Sequence, residues 1–147
     1  MQVSGRYKKY ISQAELSRVF QVFCQTMNLK YAEVSLVFCT SNQMRTINKK
    51  YRGLDKTTDV ISFSTVDNMN LADYETMPIF LGEIIIDINY IVLQQEKHET
   101  KHSIVERIVH GLLHLAGFDH LNSKQKVIMQ KHEHNILRLL KQDGLSD

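Results

Sequence analysis

Apolar residues recur in two rhythms along this chain, and the changes of rhythm divide it into helices and strands. Residues 1–10 are polar and basic and suggest no more than a short strand. From Ser12 onward Leu16, Val19, Phe20 and Phe23 fall three or four apart, the spacing of a helix with one buried stripe. Ser12 and Glu15 form a capping-box pair at its start, and the pattern runs to about Met27. Residues 33–40 are rich in Val, Leu, Phe and Cys and predict a strand. Ser41 or Asn42 is placed to cap a second helix carrying Met44, Ile47 and Tyr51 at helical spacing. That helix ends among Lys49, Lys50, Arg52 and Lys56, with Asp55 able to pair with one of these cations. A strand is predicted over Asp59 to Thr65, then a loop from Val66 to Phe80 that holds Asn68, Asn70 and the one proline, Pro78. Leu81 to Ile88 is almost all apolar, as in a strand buried on both faces. Asp87 and Asn89 precede a helix from about Tyr90 to His98. A long helix beginning at Lys101 or His102 is apolar on most sides. A last helix from Ser123 has Val127, Ile128, His134, Ile136, Leu137 and Leu140 on or near its packing face.

This order predicts an α+β fold: a small mixed β-sheet covered by helices, with the long helix that carries His110 and His114, a metal-binding helix, at its centre. The 147 residues fit a single domain, 1–147, long enough to bury a core. A hydrophobic fraction of 43% and a charged fraction of 23% are those of a soluble globular protein. No apolar run approaches membrane-spanning length, and the first residues lack the apolar core of a signal peptide. Cys24 and Cys39 lie in apolar runs and read as buried free thiols rather than a disulfide. These features predict a cytoplasmic protein. The net charge of +2 and pI near 8.5 are too weak to argue for nucleic acid, so an RNA surface would need local clustering of cations.

The chemistry concentrates between His110 and His120. His110 and His114 are four apart, which places both on one face of a helix. Two imidazoles so placed can reach one ion at metal–nitrogen distances of about 2.0–2.1 Å. Gly117 offers a helix stop, after which the chain can turn and bring His120 back as a third ligand. Three protein ligands with one open position describe a catalytic metal site rather than a closed structural one. His-x3-His-x2-Gly-x2-His is also the ligand spacing of metzincin proteases. Those enzymes carry a Glu general base directly after the first His; here that residue is Gly111. Asp119 directly precedes the third ligand and is a candidate to orient a histidine. His132 and His134 lack the ligand spacing and read as surface or packing residues. His98 and His102 have it but fall across a predicted helix break.

His110-Gly111-x-x-His114-Leu115-x-Gly117-Phe118-Asp119-His120 resembles the signature of the YbeY family, bacterial metal-dependent endoribonucleases of ribosomal RNA maturation. A second block is similar too: Asn48-Lys49-x-Tyr51-Arg52-x-x-Asp55-Lys56-x-Thr58-Asp59-Val60-Ile61-Ser62-Phe63. Leu81-Gly82-Glu83-Ile84 resembles the family's Leu-Gly-Asp-Ile strand. The three blocks occur in family order. The chain departs from the family pattern at Thr57 and Ser64, where proline is frequent, and at Glu83.

The resemblance implies the same α+β arrangement and a zinc-dependent, single-strand-specific endoribonuclease. Its expected roles are 3′-end maturation of small-subunit ribosomal RNA and ribosome quality control, with RNA, the small ribosomal subunit and its associated proteins as partners. It implies one Zn2+ held by His110, His114 and His120, although histidine-only ligation also suits Ni2+ and other transition metals. It implies a catalytic role for Arg52, which would stabilise charge on the transition state. Lys49, Lys50 and Lys56 would then hold flanking phosphates. Either the ion's own water or Asp119 would serve as base. Three alternatives stand beside this reading: a metallopeptidase, a non-catalytic ribosome-associated metal-binding protein, and a structural zinc module.

Overall fold

The computed structural model describes residues 1–66, 71–94 and 99–145. Four strands form one sheet: β1 (Gln2–Gly5), β2 (Ala32–Cys39), β3 (Val60–Ser64) and β4 (Ile79–Asp87), in the order β1-β2-β4-β3. β1 and β4 run parallel to β2, and β3 pairs antiparallel to β4. The expected mixed sheet is therefore present. The apolar run expected at its centre is β4, which begins two residues earlier than the sequence pattern suggests.

The helices are α1 (Gln13–Thr26), α2 (Ser41–Arg52), α3 (Ile88–Gln94), α4 (Thr100–Leu115) and α5 (Ser123–Gln142), with a 3-10 turn at Leu71–Tyr74. Side chains alternate across a strand, so the two faces of the sheet sort into two clusters. Leu36, Phe38, Ile84 and Ile86 meet α1, α4 and α5 in the main core. Ile61 and Ile85 meet Met44 of α2 in a smaller one on the other face. Among the described residues, no helix is long and apolar enough to cross a membrane.

α4 is the most buried helix. Ile104, Val105, Ile108, Val109, Leu112, Leu113 and Leu115 are all at most 2% exposed. Full burial of such a side chain contributes roughly 1.5–3 kcal/mol, so this stripe dominates how the helix sits. Gly111 lies against β4: a Cβ there would come within 3.0 Å of Ile84 Cγ2. The missing side chain lets the helix settle close on the sheet.

Several local expectations need correction. α2 is capped by Thr40, not Ser41 or Asn42, because Thr40 and Gln43 complete a reciprocal capping box. α3 begins at Ile88, since Asp87 Oδ1 already accepts from Tyr90 N (3.0 Å). α4 begins at Thr100, one residue before the expected start. On α5 the packing stripe is Met129, Ile136 and Leu140, while Val127, Ile128 and His134 are exposed. The first turns of that helix extend past the core. Cys24 and Cys39 are free but half-buried, and burial pushes each thiol up to about 11. His98, Asn68 and Asn70 lie outside the described residues. His102 stands 3.3 Å from Glu106 one turn along α4.

α1 and α4 are joined at their starts by Glu15. One carboxylate oxygen takes Lys101 Nζ (2.7 Å) and the other takes Ser12 N (2.7 Å) in the capping box. Lys101, then the Ser12 backbone, lowers the Glu15 pKa from the ordinary 4.5 to about 2. A carboxyl held low in the folded state stabilises fully above its unfolded pKa, and that stabilisation is lost as pH falls through the folded value. Glu15→Gln should therefore cost on the order of 1 kcal/mol near neutral pH, the scale of one partly exposed pair plus one cap. In urea unfolding, the gap between wild type and variant should shrink between about pH 4.5 and about pH 2. A gap that stays constant over that window would contradict the assignment.

Candidate metal centre

The site is built from the last turns of α4, the turn that follows it, one face of α5 and the loop between α2 and β3. On α4, His110 and His114 project from the stripe that the buried side chains leave uncovered. Their Nε2 atoms are 3.1 Å apart. α4 stops at Ala116, and Gly117 takes a left-handed φ of 88° that turns the chain out of the helix. Asp119 Oδ1 then accepts from the backbone N of His120 (2.7 Å), which tightens the turn and returns His120 towards the helix. The His120 ring centroid lies 5.1 Å from that of His114 and 5.9 Å from that of His110. The three histidines each offer a ring nitrogen within 4.8 Å of the others.

The donors suit a transition-metal ion. Burial first, then the neighbouring His110 and His120, holds His114 below the usual histidine pKa, which favours the neutral form that ligates metal. His110 Nδ1 lies 3.2 Å from Glu133 Oε1 on α5. With Nδ1–H donating to that carboxylate, the lone pair of His110 stands on Nε2, the atom that faces His114. The expected cluster of His110, His114 and His120 is thus assembled as a group that could hold a metal ion, and no described Cys, Asp or Glu joins it.

The histidines line a cleft of about 400 Å3 together with Arg52, Thr58, Asp59, Arg107 and Glu133. Two arginines enter it, and they differ. Arg107 Nε donates to Asp59 Oδ2, and its Nη1 is 3.8 Å from Glu106. Arg52, in the last turn of α2, is exposed and makes no ion pair among the described residues. It is the cation left available to an anion at this cleft. The loop that follows Arg52 is held from below. Buried Asn48 donates from Nδ2 to Lys56 O (2.7 Å), and the hydroxyl of Thr57 donates to buried Asp87 (2.7 Å).

The three lysines expected to hold phosphates are not brought to this cleft. Lys49 and Lys50 line a separate depression with Arg45 and Asp55, and Lys49 Nζ and Arg45 Nε both bind the Asp55 carboxylate. Lys50 Nζ instead lies 5.0 Å from the centroid of the Tyr51 ring, and Lys56 is exposed. Asp119 also sits outside the cleft lining. Its carboxylate is 3.9 Å from His120 Nδ1, beyond hydrogen-bond reach, so it acts on His120 through the backbone. His132 packs against Phe118 (ring centroids 4.7 Å), the packing role expected for it.

Sequence reasoning missed Glu133, Asp59 and Arg107. Glu133 lies 23 residues from the histidine it contacts, so no spacing rule links them. One signal was present: it is the only acidic residue on α5, beside five cations.

A family model described as Endoribonuclease YbeY matches residues 2–141. Among relatives named Endoribonuclease YbeY, one from Desulforamulus reducens is 35% identical over 113 residues, covering 74% of this chain and 72% of that protein. One from Finegoldia magna is 30% identical over 145 residues, covering 94% and 92%. The solution structure of a Thermotoga maritima protein matches at a TM-score of 0.56 and 18% identity, over 99% of this chain and 95% of that one. At that identity the likeness is one of fold.

If Glu133 fixes the His110 tautomer, Glu133→Gln should weaken metal binding by about 10–100-fold, the usual effect of losing such a partner. His114→Ala should abolish stoichiometric uptake. Titration against a chromophoric chelator reads both. A Glu133→Gln protein with wild-type affinity would remove the carboxylate from the account.

Proposed function

Because the chain belongs to the endoribonuclease YbeY family, we propose that it is a zinc-dependent, single-strand-specific endoribonuclease that matures the 3′ end of small-subunit ribosomal RNA and acts in ribosome quality control. Family membership makes it a nuclease hydrolase with RNA as its substrate. We further propose that residues 1–147 work as one domain, in the cytoplasm, and meet the small ribosomal subunit.

His110, His114 and His120 are the proposed ligands of one ion, zinc or another histidine-preferring metal such as nickel. A cation held there would polarise a phosphoryl oxygen and acidify a water molecule. The chain's own groups do the rest. Arg52 lines the same cleft with a guanidinium that no described carboxylate occupies, and this is the observation that carries the reading. It would bind a non-bridging phosphate oxygen and stabilise charge as the phosphorus becomes five-coordinate. Thr58 also lines the cleft, its hydroxyl donating to Asp59 Oδ1 (3.2 Å). The two carboxylates that line the cleft are both engaged, Asp59 by Arg107 and Glu133 by His110. Lys49, Lys50 and Lys56 would meet the RNA backbone beyond the cleft, with Lys49 the weakest of them because Asp55 already holds it. Asp119 would orient His120 by way of its backbone N–H.

The peptidase alternative fares worse. Its base would stand at position 111, and Gly111 packs on Ile84 of the sheet.

Arg52→Ala should lower the cleavage rate on a single-stranded RNA by about 100- to 1,000-fold, the scale of losing one donor to transition-state charge. Its bound metal should stay at the wild-type ratio. The assay pairs a labelled RNA with metal analysis of the same sample. Cleavage at the wild-type rate by Arg52→Ala would refute its catalytic role. Peptide hydrolysis with RNA left intact would overturn the substrate class.

A further inference from the structure

A larger cleft lies elsewhere. It measures about 960 Å3, opens at the carboxyl ends of β1, β2 and β4, and shares no lining residue with the histidine cleft. Its origin is topological. After β1 the chain leads to α1, packed on the Leu36 and Phe38 face; after β2 it leads to α2, packed on the Ile85 face. Neighbouring parallel strands whose outgoing chains part to opposite faces leave a crevice beyond their carboxyl ends, the place where open sheets take ligands.

The wall of this crevice is a built turn. Gly5 has φ 97°, and a Cβ there would come within 2.0 Å of the Phe38 carbonyl oxygen, so only glycine lets β1 end so close to β2. Tyr7 is buried and stacks on Phe38 (centroids 5.0 Å), its backbone carbonyl accepts from Tyr10 N (2.9 Å), and Ile11 is 1% exposed. With Tyr7 and Ile11 fixed inward, Arg6, Lys8 and Lys9 stand exposed at the rim. None of the three makes an ion pair among the described residues, whereas Arg18, Arg45, Lys49, Lys101 and Arg107 each have a carboxylate partner. Lys9 Nζ lies 5.5 Å from the centroid of the half-buried Tyr10 ring. Asn89, past the end of β4, also lines the cleft; it is exposed, and its amide has no hydrogen-bond partner among the described residues.

We propose that this cleft binds a nucleotide, with its phosphate on Arg6, Lys8 and Lys9 and its base between the Tyr10 ring and the Asn89 amide. Three cations within four positions, with no ion pair among the described residues, make an anion site. An aromatic ring beside them supplies a stacking surface that every base can use. An amide that both donates and accepts can meet a base edge. The volume is in the range of small-molecule sites. A free mononucleotide and one nucleotide of an RNA strand share this chemistry. The inference stands on residues that the cleavage reading does not use.

Amide NMR of the full chain tests it, with adenosine 5′-monophosphate, inorganic phosphate and a short single-stranded deoxyoligonucleotide as separate probes. A nucleotide probe is expected to shift the amides of residues 5–10 and of Ile88 and Asn89. Arg6→Ser/Lys8→Ser/Lys9→Ser should weaken that binding by about tenfold or more, since charge-assisted contacts are the strong ones. These side chains are exposed, and an otherwise unchanged spectrum checks the variant's fold; Tyr10→Leu should weaken both nucleotide probes and leave inorganic phosphate unaffected. Shifts with the monophosphate assign the cleft to a free nucleotide. Shifts with the oligonucleotide alone assign it to one nucleotide of a single strand. Silence at these amides with both nucleotide probes, wild-type affinity in the triple variant, or inorganic phosphate binding as tightly as the monophosphate would overturn the proposal. His114→Ala should retain these shifts, so a failure of cleavage and a failure of this cleft remain separate results.

Discussion

The close approach of Gly111 to Ile84 sets how near α4 lies to β4. With a Cβ at position 111, α4 could not rest on β4 without moving the Ile84 side chain. Settled at that distance, the helix is locked in rotation by seven apolar side chains that are almost wholly withdrawn from water. His110 and His114 then have one direction to point, and their Nε2 atoms lie 3.1 Å apart. Hydrocarbon packing thus orients the two donors. The same packing explains why a protease-like base is missing: the residue after the first histidine faces the sheet.

β4 indexes the other half of the site as well. Ile84 lies under α4; three residues on, Asp87 is fully buried and takes the Thr57 hydroxyl and the Tyr90 amide. The Thr57 bond, with Asn48 on the carbonyl of Lys56, holds the loop that runs from Arg52 to Asp59. One strand therefore sets the distance between the imidazoles and the arginine. The positions that depart from the family pattern are tied in by their own hydrogen bonds. Thr57 bonds to Asp87, Ser64 bonds to Val66 O at the end of β3, and Glu83 accepts from Ser35 across the sheet.

What was legible in the sequence follows from range. His110 and His114 lie on one helix, where the spacing fixes the geometry, and Gly117 marks where the chain must turn. The Ser12 and Glu15 box was legible for the same reason. The Thr40 cap was obscured because three cap-forming residues stand in a row, and only the return bond from Gln43 selects the first. Arg52 reaches the histidines through the sheet and a loop, so periodicity could not place it and only the resemblance pointed there. Glu133 comes from another helix and had no short-range signature. The lysines show the limit of reading charge from composition. Clustered in sequence with Arg52, they do not line its cleft: Lys49 is held by Asp55, Lys50 lies by the Tyr51 ring, and Lys56 stands in the loop past the helix end.

The central claim is that three imidazoles converge on one cation and leave a position open to solvent. X-ray absorption at the metal edge of the zinc-loaded protein measures this most directly. Three imidazole nitrogens at about 2.0–2.1 Å and one light oxygen that exchanges with an added anion are expected. Fewer than three imidazoles, or a fourth side chain closing the shell, would contradict it.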